Sequence, residues 1–325
     1  MIRLQFELDL EYTVLTPSAD FFFYIHAANT QQQKVLGEAM HITQPEARWH
    51  VMQEGRSPNQ RCLRVNALEG PLHVQYIATV QIAHHLDEPS RIAETPLQQL
   101  PQDVLQYIYP SRYCQSDLLS GFALREFGDM PPGYLRAKAV CDWVGQHVEF
   151  RSNSSDSSTS VHDTLVERVG VCRDFAHLMI ALCRALNMPA RIATGTDYGA
   201  DPTLGPPDFH AYVEVFLGHR WYLFDPSGVA IPMGMLRLAT GRDAADVAFA
   251  TIFGGVTCMQ PRIKVEALHD PLRKLEMPAH SPYALSTDSV LASSLIQEST
   301  QENKPFVPWS LAGGMPLLRH TEHPL

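Results

Sequence analysis

No run of about 18 apolar residues occurs in this 325-residue chain, so no membrane-spanning helix is expected. No Lys/Arg-rich run occurs either. The 25 basic residues are outnumbered by 35 acidic ones, giving a formal charge of −10, which argues against a nucleic-acid partner. C-x-x-C spacing is absent. Cysteines 62, 114, 141, 172, 183 and 258 are scattered, which gives little support to structural zinc and reads as free thiols in a large cytosolic chain. No D-x-D-x-D-G calcium loop is present, so neither a metal nor another cofactor is expected. The opening MIRLQFELDLEY alternates instead of forming an apolar signal core, and a cytoplasmic protein is the expectation. Oligomeric state is left open.

What is present includes 45% hydrophobic residues, enough for a sizeable core without disulfides. The length favours two domains. Ile2, Leu4, Phe6, Leu8, Leu10 and Tyr12 are apolar on alternate positions, the strand period. Phe21–Ile25 is a second apolar run. A third strand is expected at Gln60–Val65, and a fourth after a turn at Gly70-Pro71, where Leu72, Val74, Tyr76, Ala78, Val80 and Ile82 alternate. This pattern predicts an N-terminal antiparallel β-sandwich over residues 1–95. His84 and His85 beside Asp87 and Glu88 read as a solvated strand end, with a metal site as the alternative.

A Pro-bearing polar linker is expected near 87–103, and the period then changes. Val104–Tyr107, Ser116–Phe127 and Leu135–Val148 predict short helices, separated at Pro110 and Pro131-Pro132. RSNSSDSSTS, residues 151–160, reads as a loop, either the rim of a cleft or a plain connector. Val161–Val169 predicts a helix ended by Gly170.

The chemistry concentrates between Gly170 and Gly228. Phe175, Leu178, Met179, Leu182 and Leu186 recur at helical steps, which puts Cys172 in the first turn of a helix. Unsatisfied N–H groups there favour thiolate over thiol and can hold an oxyanion. Gly170 would admit a substrate backbone. Cys183 falls mid-helix and reads as a small core residue. Phe209–Leu217 and Arg220–Phe224 alternate around a Gly218-His219 turn, forming a hairpin that brings His210 near Asp225. A carboxylate there would fix the imidazole tautomer, and a helix-start cysteine on the same sheet would complete a thiol, base and orienter set.

The segments GVCRDFAHL, CRALNMPAR, HAYVEVF, RWYLFDPSG and GRDAADVAF resemble bacterial transglutaminase-like proteins of the papain-like superfamily. The N-terminal strands resemble the β-domain preceding the core in those proteins. The resemblance covers about residues 1–270. It implies an α+β fold, a papain-like core over residues 96–270 with a nucleophile helix packed on an antiparallel sheet, and an irregular tail at 271–325. It implies Cys172 as nucleophile, His210 as base and Asp225 as orienter, with Asp174 stabilising the helix start and His177 structural. Arg242 and Asp243 are expected to pair in a loop beyond the site. Tyr212 stands in HAY where tryptophan is common, DPSG where DPT is frequent, and GTDY where GY is typical.

The expected activity is cysteine-dependent acyl transfer on a peptide or protein amide, as a peptidase or amidase. A transglutaminase using an amine acceptor is the alternative within the family. A non-catalytic binding module on the same fold is the alternative outside it, and a metal site built from the same three residues is a third. In the tail, Val290–Ile296 is a brief apolar run, and Phe306, Val307 and Trp309 are candidates for docking back on the body.

Overall fold

The computed structural model describes residues 1–54, 57–286 and 288. The chain opens with β1 (Ile2–Phe23), β2 (Gln33–Ile42), β3 (Arg48–Glu54) and β4 (Ser57–Ile82). A short β5 (His85–Asp87) precedes α1 (Ser120–Phe127) and α2 (Tyr134–His147). Then come β6 (Glu149–Phe150), α3 (Val161–Glu167), β7 (Val169–Gly170) and α4 (Cys172–Ala185). The core sheet uses β8 (Ala190–Thr196), β9 (Phe209–Leu217), β10 (Arg220–Phe224) and β11 (Ala239–Gly241). After α5 (Ala244–Val247) follow β12 (Ala250–Phe253), β13 (Val256–Cys258), β14 (Arg262–Ala267) and β15 (Ala284–Ser286).

The period-two reading of the N-terminus holds: the even positions from Ile2 to Val14 are buried. The register of β1 on β4 then shifts between Val14 and Ser18, and Ala19, Phe21 and Phe23 are the buried ones. The irregularity switches the phase so that both halves keep one face on one core. Tyr12 and Phe21 would stand roughly 30 Å apart in a straight strand, yet their rings lie 5.2 Å apart. The strand therefore doubles over, and the two layers are halves of one bent antiparallel sheet. Gly70-Pro71 does not separate two strands, as expected from sequence. It lies inside β4, opposite Val14 and Thr13, where a positive φ of 122° at Gly70 and a residue without an N–H suit the bend.

Two further expectations change. The segment after the core sheet was read as closing the catalytic core, but β12, β13 and β14 all pair with β1. The seven-stranded sheet is thus completed by residues from beyond the core, which cover an edge that β4 leaves open. The boundaries expected at 95 and 270 do not follow this sheet. Nor is the stretch near 87–103 a free linker: the Glu94 carboxylate accepts from Arg136 Nη2 at 2.6 Å and from Gly133 N–H at 3.0 Å.

The core packs α4 against a four-stranded sheet ordered β10-β9-β8-β11. Helix α3 stops two residues earlier than expected, at Glu167, on Arg168 in the left-handed conformation (φ 55°). The bent sheet is fastened to the core by Gln33, which donates to the Arg237 carbonyl at 2.8 Å and accepts the Arg237 N–H at 2.9 Å. Near the end of the described chain, β15 pairs with β5. The apolar run Val290–Ile296 and residues Phe306, Val307 and Trp309 lie outside the described residues. Among the described residues no helix is long and apolar enough to cross a membrane.

Two buried histidines give the fold a pH dependence. Burial lowers His26 to about 4, helped by Arg61, and lowers His177 to about 3. Both bind protons more readily unfolded, near 6.5, than folded. The stability these two groups contribute is therefore complete above about 6.5 and is lost as pH falls toward the folded values, by roughly 1.4 kcal/mol per pH unit for each group. Urea unfolding between pH 7 and 4.5 should show this slope, and His26→Phe should flatten part of it.

Candidate active site

Cys172 is the first residue of α4, and Val171 before it is extended (φ −102°, ψ 174°). The helix start is closed by Asp174, whose Oδ2 accepts the Val171 N–H at 2.9 Å. That leaves the Cys172 N–H, which has no acceptor within the helix, directed to the space before it. Gly170 serves this closure and not the substrate approach expected from sequence. A Cβ there would lie 2.7 Å from Asp174 Cβ. Arg173 donates to Ser155 Oγ at 3.1 Å and to the Asp156 carbonyl at 2.7 Å, holding the serine-rich segment beside the start of α4. The rim reading of that segment thus has a physical tether.

His210 sits at the second position of β9, and Asp225 follows the end of β10. The hairpin brings His210 Nε2 within 3.2 Å of Asp225 Oδ1, with both side chains almost fully buried. The Cys172 sulfur is near enough to the imidazole to act on its charge. With Nε2 turned to the carboxylate, Nδ1 is the nitrogen left for the sulfur. The structure therefore brings together all three residues singled out from sequence. Cys172 is half-buried, between the enclosed His210 and the surface.

The DPSG turn wraps the carboxylate. Asp225 Oδ1 accepts from the Ser227 hydroxyl at 2.6 Å and its N–H at 3.1 Å, while Oδ2 accepts the Ala230 N–H at 3.1 Å. Ser227 Oγ also lies 3.4 Å from His210 Nε2. Sequence reasoning noted the serine only as a departure from DPT. The signal that would have found it is an Asp-x-Ser turn, whose hydroxyl folds back on the carboxylate.

Burial works against a charged imidazole, but the Asp225 carboxylate and the Cys172 sulfur outweigh it and hold His210 well above its usual range. Burial likewise opposes charge on Asp225, and the His210 imidazole with the Ser227 and Ala230 donors keeps the carboxyl below its usual value. Each partner of the His210–Asp225 pair thus favours the charged form of the other. The buried thiols differ. Burial pushes Cys114 and Cys141 up to about 12 and raises Cys183 further. Cys258 is exposed.

Other expected residues fall as follows. His177 is fully buried, stacks on Tyr113 with ring centroids 5.0 Å apart, and accepts the Ala244 N–H at 3.1 Å, a structural placement. Arg242 does not pair with Asp243. It pairs with Asp246 at 2.8 Å, because the buried Asp243 carboxylate already accepts the Tyr113 and Ala245 N–H groups. His85 pairs with Asp87 at 2.7 Å, and no grouping of three metal-ligating side chains occurs among the described residues.

Residues 124–226 match the transglutaminase-like superfamily, and residues 2–103 match the bacterial transglutaminase N-terminal domain. A crystal structure of a provisionally named cysteine protease from Cytophaga hutchinsonii is 36% identical, with a TM-score of 0.79. The match covers 88% of this chain and 97% of that one. The chain belongs to the transglutaminase-like superfamily. Its N-terminal sheet belongs to the same resemblance. Among curated proteins, an uncharacterized protein of Mycobacterium tuberculosis is 34% identical over 109 residues, and one of Mycobacterium leprae is 29% identical over 115. These matches span only 35% and 41% of the relatives' lengths and 30% and 34% of this chain.

The closure of α4 is testable. Asp174→Ala removes the acceptor for Val171, and Gly170→Ala crowds it. Each should cost about 1–2 kcal/mol in chemical unfolding, the range for a lost cap.

Proposed function

We propose that the protein is a cysteine-dependent amide hydrolase, a peptidase or amidase, with Cys172 as nucleophile, His210 as acid and base, and Asp225 as orienter. One observation carries the reading: the half-buried thiol, beside four buried ones and the exposed Cys258, is the one that acts on a histidine held by an aspartate at 3.2 Å. Nucleophile, base and orienter gathered in that order are the signature of covalent acyl transfer.

The steps follow from the geometry. The Cys172 sulfur attacks the amide carbonyl, and the S–C bond forms as the carbonyl π electrons move to oxygen. The Cys172 N–H at the start of α4 is placed to stabilise that oxyanion. Collapse breaks the C–N bond, and the His210 imidazolium protonates the departing amine. His210, now neutral, takes a proton from water, which attacks the thioester. The second collapse breaks the C–S bond and releases the carboxylic acid and the thiolate, and the proton taken from water stays on His210, which restores the starting pair. Asp225 keeps the imidazole in one orientation throughout and is not itself protonated. No disulfide joins these cysteines among the described residues, which suits a reducing compartment such as the cytoplasm.

Two measurements test this. Iodoacetamide should label Cys172 faster than the exposed Cys258, and that advantage should fall in His210→Ala. The buried four should stay slow at every pH. Loss of that difference would remove the catalytic role. Peptide turnover should depend on Cys172, and its alkaline limb should report the raised His210. Asp225→Asn removes the carboxylate that raises it, so that limb should move toward 6.5, and the rate should fall about 10²–10⁴-fold, the usual contribution of positioned acid–base catalysis. Incorporation of an added primary amine into product, in place of water, would turn the reading to a transglutaminase.

A further inference from the structure

Beside His210 the loop between β8 and β9 leaves a cavity of about 320 Å3. Its walls include Tyr198, Pro202 and Pro207 from the loop and Val265 from β14 of the N-terminal sheet. Two glycines in the left-handed region, Gly199 (φ 80°) and Gly205 (φ 135°), let the loop arch around it. Tyr198 and Phe209 pack on the apolar core of the bent sheet, so the cavity stands where the two halves of the molecule meet.

One charged side chain lines this mostly apolar cavity, Asp197. Its Oδ1 accepts the Asp208 N–H at 3.0 Å. No lysine or arginine forms an ion pair with Asp197 or Asp208 among the described residues. In the ladder of β8 on β9, Gly195 stands opposite His210, two residues before Asp197, which sets this end of the cavity near His210. Partial burial raises the Asp197 carboxyl above its usual range, as expected for a carboxylate lacking a nearby fixed cation.

We propose that this cavity is a substrate subsite for a lysine or arginine side chain next to the amide that Cys172 attacks. The aliphatic stem would lie along Tyr198, the prolines and Val265, and the cationic head would meet Asp197. Apolar walls with an acid at the end suit a side chain that buries its methylenes and keeps its charge paired. An aliphatic residue would fill the walls and leave the acid unpaired, and an acidic residue would be repelled. The proposal rests on the hydrolytic reading of the site and adds the class of residue it selects. It also gives the N-terminal sheet a part in substrate selection, through Val265.

The test uses the full chain and a peptide set in which lysine, norleucine and glutamate are exchanged at each position flanking the scissile amide. At one position lysine should exceed norleucine by about tenfold in kcat/KM, the discrimination of a hydrogen bond to a charged group, mainly through KM. Asp197→Asn keeps the Oδ1 acceptor for Asp208 and should abolish the preference. Asp197→Lys should reverse it toward glutamate. Cys172 should still be alkylated in both variants, which shows that the nucleophile survives the change. Turnover with no lysine preference, or a preference surviving Asp197→Asn with Cys172 alkylation intact, would overturn the subsite alone. Absence of Cys172-dependent turnover on every peptide would overturn the hydrolytic reading and the subsite with it.

Discussion

The site depends on the packing of α4 against β8 and β9. From Asp174 to Arg184 every residue of the helix is buried. Phe175, Leu178, Met179 and Leu182 face other elements at 0–1% exposure. Each such side chain contributes about 1.5–3 kcal/mol by leaving water. Moving the helix by one turn would break several of these contacts at once, so Cys172 is fixed relative to β9 by the bulk of the core. Cys172 needs no further positioning residue on its own helix. Asp174 and Gly170 then set only the local form of the start.

The other half of the site needs the register of β9 to be unique. The strand is buried on both faces, and a one-residue slip would turn His210 away from Asp225 and Cys172. Apolar residues alone do not forbid such a slip, because Ala211, Val213 and Val215 would be replaced by comparably apolar neighbours. Glu214 does. It is 1% exposed and held between Arg191 at 2.5 Å and Arg237 at 2.9 Å. Arg191 also stacks 4.1 Å above the Trp221 ring on β10. Turning Glu214 to the opposite face would bury a carboxylate against α4 and leave two buried guanidinium groups to share Asp288. Breaking a buried pair by removing one partner costs about 3–5 kcal/mol. The ionic cluster thus acts as a register key four residues from the base.

What could be read in the sequence was local or nearly so. The alternation through Tyr12, the helical spacing after Cys172 and the tight turn at Gly218-His219 are carried by neighbours in sequence, and they sufficed to bring His210 to Asp225. The pairing of β14 with β1 could not be read, because Arg262–Ala267 has the same alternation whether it closes the core sheet or the distant one. Arg242 was assigned the wrong partner for a similar reason: adjacency in sequence favoured Asp243, while burial under Tyr113 removed Asp243 from reach. The stretch near 87–103 looked like a linker because its composition is polar, yet Glu94 is polar in order to cap α2 and hold Arg136. Composition distinguishes polar from apolar, and cannot tell a solvated carboxylate from one bound inside.

The chain order of the two halves therefore differs from their order in space. Residues 1–82 and 250–267 form one sheet, and the site-bearing core is the excursion between them. This has a mechanical consequence. Both ends of the core are tied to the same sheet, at Ile82 and at Ala250, and Gln33 binds Arg237 from the side. The loop after β8 rests on that sheet through Tyr198, and β14 supplies Val265 to the wall beside His210. A hinge between the halves would have to break the Gln33 bonds and separate Tyr198 from the sheet together. The sheet is accordingly part of the floor on which the cleft is built, and the cleft's shape is set by contacts that join residues about 200 positions apart.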